Sequence, residues 1–422
     1  MFEPDQDQSQ GYFIKVDTSD LAVGMYVQEL DRPWTKTPFL FQGFCIKSTE
    51  EIDTLREHCD YVYVDREQSI DLLPDACRFG IDNSASLANQ VKGIARAYRK
   101  TGIYADSVPV EQELDVAKNI YAKSHSLVQE MFTILRADGI VSVHEIRETA
   151  NNIIASVLRN PDAFMLLQIV KNKDSYSYTH AVNCCALAAS FCRHLGFTEE
   201  EIRDIALGAL MLDVGIVKLP SKILEKQGPL NPASLKLVRH HVDFSMDMIK
   251  RIPQVPGIVH DMIMTHHERM NGKGYPLGIK GSRIPVCGRI AAIVDCYDAM
   301  ISKRPYKKSL SPSEAVCEIY KWRKTDFHEE LVEQFIQCLG AYPTGTLVEL
   351  TSGQVGIVMS QNRMHRLYPK ILLILDAEKM HYEQPKIIDL WEYAKKSRDM
   401  VLDIQRTVEP DRFDIDPTCY YL

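Results

Sequence analysis

The chain has 422 residues, too long for one ordinary core, so two to three domains are expected. Its 49 Lys and Arg against 57 Asp and Glu leave a net charge of −8, which argues against broad binding to DNA or to an anionic membrane. A hydrophobic content of 45% with 25% charged residues is that of a soluble globular protein. The 11 cysteines show no CxxC spacing and read as reduced thiols of a cytoplasmic protein.

The first ten residues, "MFEPDQDQSQ", are polar and acidic, unlike a signal peptide. From Tyr12 to Asp65, "YFIKV", "GMYVQEL", "FLFQGFCI" and "YVYVD" are short β-branched or aromatic runs, which predicts strands. "STEEIDTLREHC" starts with a Ser/Thr cap and a following Glu, which predicts a helix. Residues 1–70 are thus expected to form a small α+β module, and 71–112 a linker with some helix. Over 113–340, apolar residues recur at three- and four-residue spacing, as in "LDVAKNIYAKSHSLVQEMFTIL" and "IRETANNIIASVLRN". An all-α bundle of seven to nine helices is expected there. Its longest apolar run, "AVNCCALAASFC", is too short to span a bilayer. After "YPTGT", "LVELTSGQVGIVMSQN" predicts a hairpin turning at Ser-Gly, and "PKILLILDA" and "KIIDLW" further strands. Residues 341–422 are therefore a β extension.

The helical region carries the chemistry. His180, Asp213, His241, His266 and Asp295 recur about every thirty residues, one helix plus one connection. Each helix of a bundle can then deliver one ligand to a shared centre. Histidines and carboxylates without cysteine suit Fe, Mn, Zn or a similar first-row ion. Adjacent pairs such as His266 and His267 can also be read as solvated surface. "NGKGYP", Asn271 to Pro276, is a tight turn that either ends a helix or brings Tyr275 and backbone amides to a ligand. "SKRPYKKS" is either a solvated basic loop or a grip for phosphate through Arg304, Lys307 and Lys308.

"HHERMNGKGYP", "RIAAIVDCYDAM" and "RPYKK" closely resemble the HD-GYP domain, a branch of the HD phosphohydrolase superfamily, over about residues 150–340. "DLAVGMYVQELDRPWTKTPFLFQGF" resembles a small module often fused upstream of it, and the tail from Tyr342 resembles its usual β extension. The resemblance implies a multidomain protein built on a central all-α HD-type bundle. It implies a bacterial second-messenger phosphodiesterase cleaving cyclic di-GMP with bound divalent metal, Fe or Mn, one or two ions per chain here. In such chemistry two metals activate the attacking water and stabilise charge at phosphorus. Carried across, the metal ligands are His180, Asp213, His241, His266, His267 and Asp295, with Asp213 bridging two ions as the catalytic carboxylate. Tyr275, Arg304 and Lys307 match the substrate-binding residues. A protein partner through the N-terminal module and a homodimer are further expectations.

The departures cluster in "ALMLDVGIVKLP". Where the family reads His-Asp, then Gly, then Lys, this chain has Leu212, Asp213, Gly215 and Ile216. A metal-binding His and a Lys near the scissile phosphate are thereby replaced by hydrocarbon. Lys218, two residues on, substitutes only if the local backbone is extended. Tyr176 stands where three-metal members have Glu, Ser245 where the family has Gly, Asn271 before "GKGYP" and His328 in the later "FD" pair where it has Asp. The expectation is a degenerate centre with one complete metal position and one depleted one. Its activity is reduced, or it survives as a receptor that binds without hydrolysis.

Overall fold

The structure, a computed structural model, describes residues 13–23, 25–32, 44–46, 48–65, 104–168, 176–224, 226, 228, 231–302, 309–363, 365–396, 402–409, 412–413 and 415. The chain divides into two compact units, residues 1–82 with 363–367, and residues 83–362 with 368–422.

In the first unit β1 (Phe13–Asp17), β2 (Tyr26–Leu30), β3 (Phe44–Cys45) and β4 (Tyr61–Asp65) form one antiparallel sheet in the order β1-β4-β2-β3. The α-helix described in it, α1 (Thr49–His58), opens on a capping box between Ser48 and Glu51. Its Ile52 and Leu55 pack with Val27, Ile46, Val62 and Val64 into a small apolar core. This is the α+β module expected from the strand-like runs.

The second unit is mostly helical. Its helices are α2 (Val110–Arg136), α3 (Val143–Arg159), α4 (Pro161–Leu167), α5 (Tyr176–His194), α6 (Glu199–Met211), α7 (Ser221–Leu224), α8 (Pro232–Arg239), α9 (His241–Ile249), α10 (Gly257–Thr265), α11 (Val286–Ile301), α12 (Pro312–Trp322) and α13 (Glu329–Leu339). That is twelve among the described residues of the bundle region up to Leu339, more than the seven to nine expected there. Pro161 restarts the chain straight after α3, and a one-residue turn at His240 separates α8 from α9. The Asn160-Pro161 break is one the sequence marks, whereas the break at His240 lies inside a stretch that reads as continuous periodicity.

The expected β extension is present as a five-stranded antiparallel sheet, β8-β7-β6-β5-β9. It comprises β5 (Leu347–Leu350), β6 (Val355–Ser360), β7 (Lys370–Leu375), β8 (His381–Asp389) and β9 (Ile404–Thr407). A short helix α14 (Leu390–Lys396) follows β8. Buried Asp162 at the start of α4 ties this sheet to the bundle, accepting from Gln361 N–H at 3.0 Å and Thr344 Oγ1 at 3.2 Å.

Helices α5, α6, α10 and α11 pack on one another, and two close backbone approaches bring their ends together. Gly288 near the start of α11 lies against Thr265 Oγ1, with no room for a Cβ. Gly215, in a 3-10 turn (Val214–Lys218) after α6, lies against the His241 carbonyl and the Ser245 backbone. Any side chain at either place would push apart the elements that carry His241, His266 and Asp295.

Candidate metal centre

Asp213 sits where α6 ends and the 3-10 turn begins. Its Oδ1 lies 3.1 Å from His241 Nε2 and 3.4 Å from His266 Nε2, and its Oδ2 lies 3.6 Å from His180 Nε2. Asp295 Oδ1 is 3.1 Å from the same His180 nitrogen, and Asp295 Oδ2 is 3.8 Å from His267 Nδ1. His267 Nε2 is 3.1 Å from His241 Nε2. The six side chains singled out as ligands therefore meet in one cluster, His180 from α5, His241 from the start of α9, His266 and His267 from the end of α10, and Asp295 from α11.

Three of the imidazoles are held the same way round. His241 Nδ1 donates to the Val238 carbonyl at 2.7 Å, His266 Nδ1 to that of Ile263 at 2.8 Å, and His180 Nδ1 to Asp298 Oδ2 at 2.6 Å. Fixing the proton on Nδ1 directs the Nε2 lone pair inward, the arrangement that metal-binding histidines adopt.

The electrostatics are those of a charge cluster held out of water. Burial opposes the charged form of Asp213, but His241 and His266 outweigh it and hold the carboxyl well below the usual range. For His241 burial is likewise outweighed by Asp213, so its pKa is raised. Burial, with His266 beside it, drives His267 well below the usual imidazole value, so this ring is neutral. Burial opposes ionisation of Asp295, yet its bond to His180 holds it low.

Two groups of these side chains have the spacing of a metal site: Asp213, His241, His266 and His267, and His180, Asp213 and Asp295. In each, the ligand atoms lie within 4.8 Å of one another. Asp213 Oδ1 and His266 Nε2 are buried without a hydrogen-bond partner, which an ion between them would satisfy. The donor set, nitrogen and carboxylate oxygen, fits a first-row divalent ion.

The GYP loop folds over this cluster. Tyr275 stacks on His267, ring centroids 4.5 Å apart, and its N–H donates to the His267 carbonyl at 3.2 Å. Glu268 holds the loop from beneath, with Oε1 accepting from Leu277 N–H at 2.6 Å and Gly278 N–H at 3.0 Å. The Arg239 guanidinium lies 4.9 Å from the Tyr275 ring. Asn271 donates to Asp326 at 2.8 Å, so it pins the loop rather than facing the histidines. Arg304 and Lys307 lie outside the described residues.

The departures have plain structural consequences. Leu212 is buried and offers no ligand atom. Lys218 does not replace the missing lysine. The backbone around it is a 3-10 turn, and its ammonium pairs with Asp138 at 2.8 Å and donates to the Arg136 carbonyl at 3.2 Å. Ser245 has a use the sequence did not suggest. Its hydroxyl donates to the Leu212 carbonyl at 3.1 Å and accepts from Gly215 N–H at 2.8 Å, so it grips the backbone on both sides of Asp213. Sequence reasoning also missed Asn183, Glu268 and the part played by Asp298. The available signal was a polar residue inside an apolar helical run for Asn183, and a second acid one turn after Asp295 for Asp298.

A family model described as an HD domain matches residues 165–331, and one described as a domain of unknown function (DUF3391) matches residues 13–146. The cyclic di-GMP phosphodiesterase PA4108 of Pseudomonas aeruginosa is 30% identical over 386 residues, 91% of this chain and 90% of that protein. The chain belongs to the HD-GYP family. A cyclic di-GMP phosphodiesterase of Thermotoga maritima is 30% identical over 174 residues, 41% of this chain and 47% of that protein. Among solved structures, Bd1817, an HDG"Y"P protein of Bdellovibrio bacteriovorus, aligns over 76% of this chain and 98% of its own. The TM-score is 0.46 and the identity 15%. The HD domain match begins in α4, and the DUF3391 match runs past the small sheet through α2 into α3. No described helix is long and apolar enough to cross a membrane.

Proposed function

We propose that this HD-GYP chain is a cytoplasmic, metal-dependent cyclic di-GMP phosphodiesterase with one strong and one weakened metal position. The observation that carries the reading is the pairing of two ligand groups through the single carboxylate of Asp213. Asp213, His241, His266 and His267 form the strong position, and His180, Asp213 and Asp295 the weak one, short of the ligand lost at Leu212. Fe or Mn fits the donors, one or two ions per chain. Divalent ions held there would polarise the phosphoryl group and assist attack by water. The chain's own part is to keep Asp213 ionised between the two groups, to keep the Nε2 atoms aimed inward and to hold Tyr275 over His267. Arg239 adds a cation beside that loop, and Arg304 and Lys307 match the family's grip on substrate phosphate. The N-terminal α+β unit and the β extension carry no reactive cluster among their described residues, and we assign them to a protein partner or to a homodimer.

A second reading is favoured by one observation. Hydrocarbon at Leu212 and Ile216 removes a ligand and a cation at once, which suits a receptor that binds cyclic di-GMP without cleaving it. Turnover of cyclic di-GMP by protein purified anaerobically with Mn(II) or Fe(II) separates the two. Product formation that disappears in His266→Ala supports the enzyme. Nucleotide binding with no product at any metal loading means that the receptor reading stands instead.

A further inference from the structure

Behind the ligand cluster runs a line of buried polar groups that crosses three helices. Tyr121 on α2 donates its hydroxyl to Asn183 Oδ1 on α5 at 3.3 Å. Asn183 Nδ2 donates to Asp298 Oδ1 on α11 at 2.8 Å. Asp298 Oδ2 accepts from His180 Nδ1 at 2.6 Å and from Ser302 Oγ at 3.1 Å. Asn183 and Asp298 are both fully shielded from solvent.

Asp298 lies one helical turn after Asp295, and with His180 and Cys184 it offers ligand atoms within 4.8 Å of one another. Distance alone would therefore admit a further ion. The hydrogen bonds argue the other way. Both carboxyl oxygens of Asp298 already accept from fixed donors. A side-chain amide has one accepting and one donating end, and Asn183 must turn its NH2 to Asp298, since a carboxylate only accepts. Its carbonyl is then the end that meets the Tyr121 hydroxyl. Any ion at Asp298 would have to break the His180 Nδ1–H bond and face the Asn183 NH2 group, which carries no lone pair to give it. Buried polar networks of this kind are costly to leave half-satisfied.

We infer that Asn183 and Asp298 are positioning residues that fix His180 as its Nδ1–H tautomer and close Asp298 as a metal ligand. The centre is thereby limited to two positions, and His180 Nε2 is committed to the depleted one beside Asp213 and Asp295. With a hydrocarbon at Leu212, that position depends on His180 for its only nitrogen, so the carboxylate behind the ring matters more here than it would in a full set. The inference rests on the metal-dependent reading for its purpose, but not for its geometry.

Two measurements test it separately. In metal-free protein labelled with 15N-histidine, long-range proton–nitrogen spectra read the tautomer of each ring. His180, assigned through loss of its signals in His180→Gln, is expected as Nδ1–H in wild type, and as a mixture in Asn183→Leu. An Nε2–H tautomer in wild type overturns the inference, whether or not the protein binds metal. Anaerobic Mn(II) binding, followed by equilibrium dialysis and by the Mn(II) electron paramagnetic resonance signal, gives the second readout. Wild type is expected to hold two ions. Asn183→Leu and Asp298→Ala should weaken the second about 10–100-fold and leave the first unchanged. Asp298→Asn, which keeps an acceptor for Nδ1–H, should restore part of the loss. Equal weakening of both ions would mean a merely structural role, and a third ion in wild type would mean that Asp298 is a ligand; either result sinks the proposal. A wild type that binds no Mn(II) defeats the metal-dependent reading, while the tautomer still decides the positioning claim.

Discussion

Replacing Ser245 by alanine tests how Asp213 is held. The hydroxyl makes two buried hydrogen bonds, one to the Leu212 carbonyl and one from Gly215 N–H, at 3.1 and 2.8 Å. These peptide groups flank Asp213, and Ser245 is itself fully buried. Alanine leaves a buried carbonyl and a buried N–H without this partner. Each stranded group costs about 1–3 kcal/mol. The carbonyl, with two lone pairs, falls at the low end, so a loss of about 2–4 kcal/mol is expected. For a unit of this size that lowers the melting temperature by roughly 3–6 °C. Because the loosened turn carries Asp213, metal affinity should fall as well. Differential scanning calorimetry with and without Mn(II), and a Mn(II) titration of the same samples, measure both. An unchanged melting temperature together with unchanged metal affinity would refute the idea that Ser245 clamps the turn.

Leu212→His should raise the metal content towards two tightly held ions per chain, read by elemental analysis; an unchanged content would mean that position 212 does not face the cluster. Chelation by EDTA should lower the melting temperature, and re-addition of Mn(II) should restore it, since an ion that binds only the folded state stabilises it by mass action. Metal affinity should fall as pH drops below about 6.5, because protons compete for the histidine nitrogens; a pH-independent affinity would speak against imidazole ligands. Burial, and Arg289 after it, hold His328 below the ordinary imidazole pKa. The unfolded chain therefore takes up that proton first, and stability should fall as pH drops from about 6.5 towards the lower folded value. His328→Asn should remove that part of the slope in denaturant titrations run between pH 5 and 7.5. An identical slope in the variant would show that His328 does not set it.

Much of the fold is legible from local chemistry. The Ser48–Glu51 capping box announces α1, and the Thr198–Glu201 and Ser311–Glu314 boxes stand at the starts of α6 and α12. The Ser-Gly turn joins β5 to β6 as the hairpin pattern suggests. Strand β9 and helix α14 escaped notice because neither has a strong period, and β9 is formed through its pairing with β5. Residue types and spacing point to the ligand candidates, but their convergence on Asp213 is a tertiary fact. Lys218 shows the limit well. Whether it reached the cluster turned on the backbone after Asp213, and the 3-10 turn sends it to Asp138 instead. The relay through Asn183 was hidden for a similar reason, since its partners come from helices α2 and α11, far away in the chain.

The most direct test of the account is an anaerobic Mn(II) titration in which bound metal and cyclic di-GMP turnover are followed on one sample. One ion should bind tightly and a second weakly, with turnover rising as the second position fills and with both ions lost in Asp213→Ala. Tight binding of two equivalent ions, or metal binding that survives Asp213→Ala, would contradict a centre built around Asp213 with one depleted side.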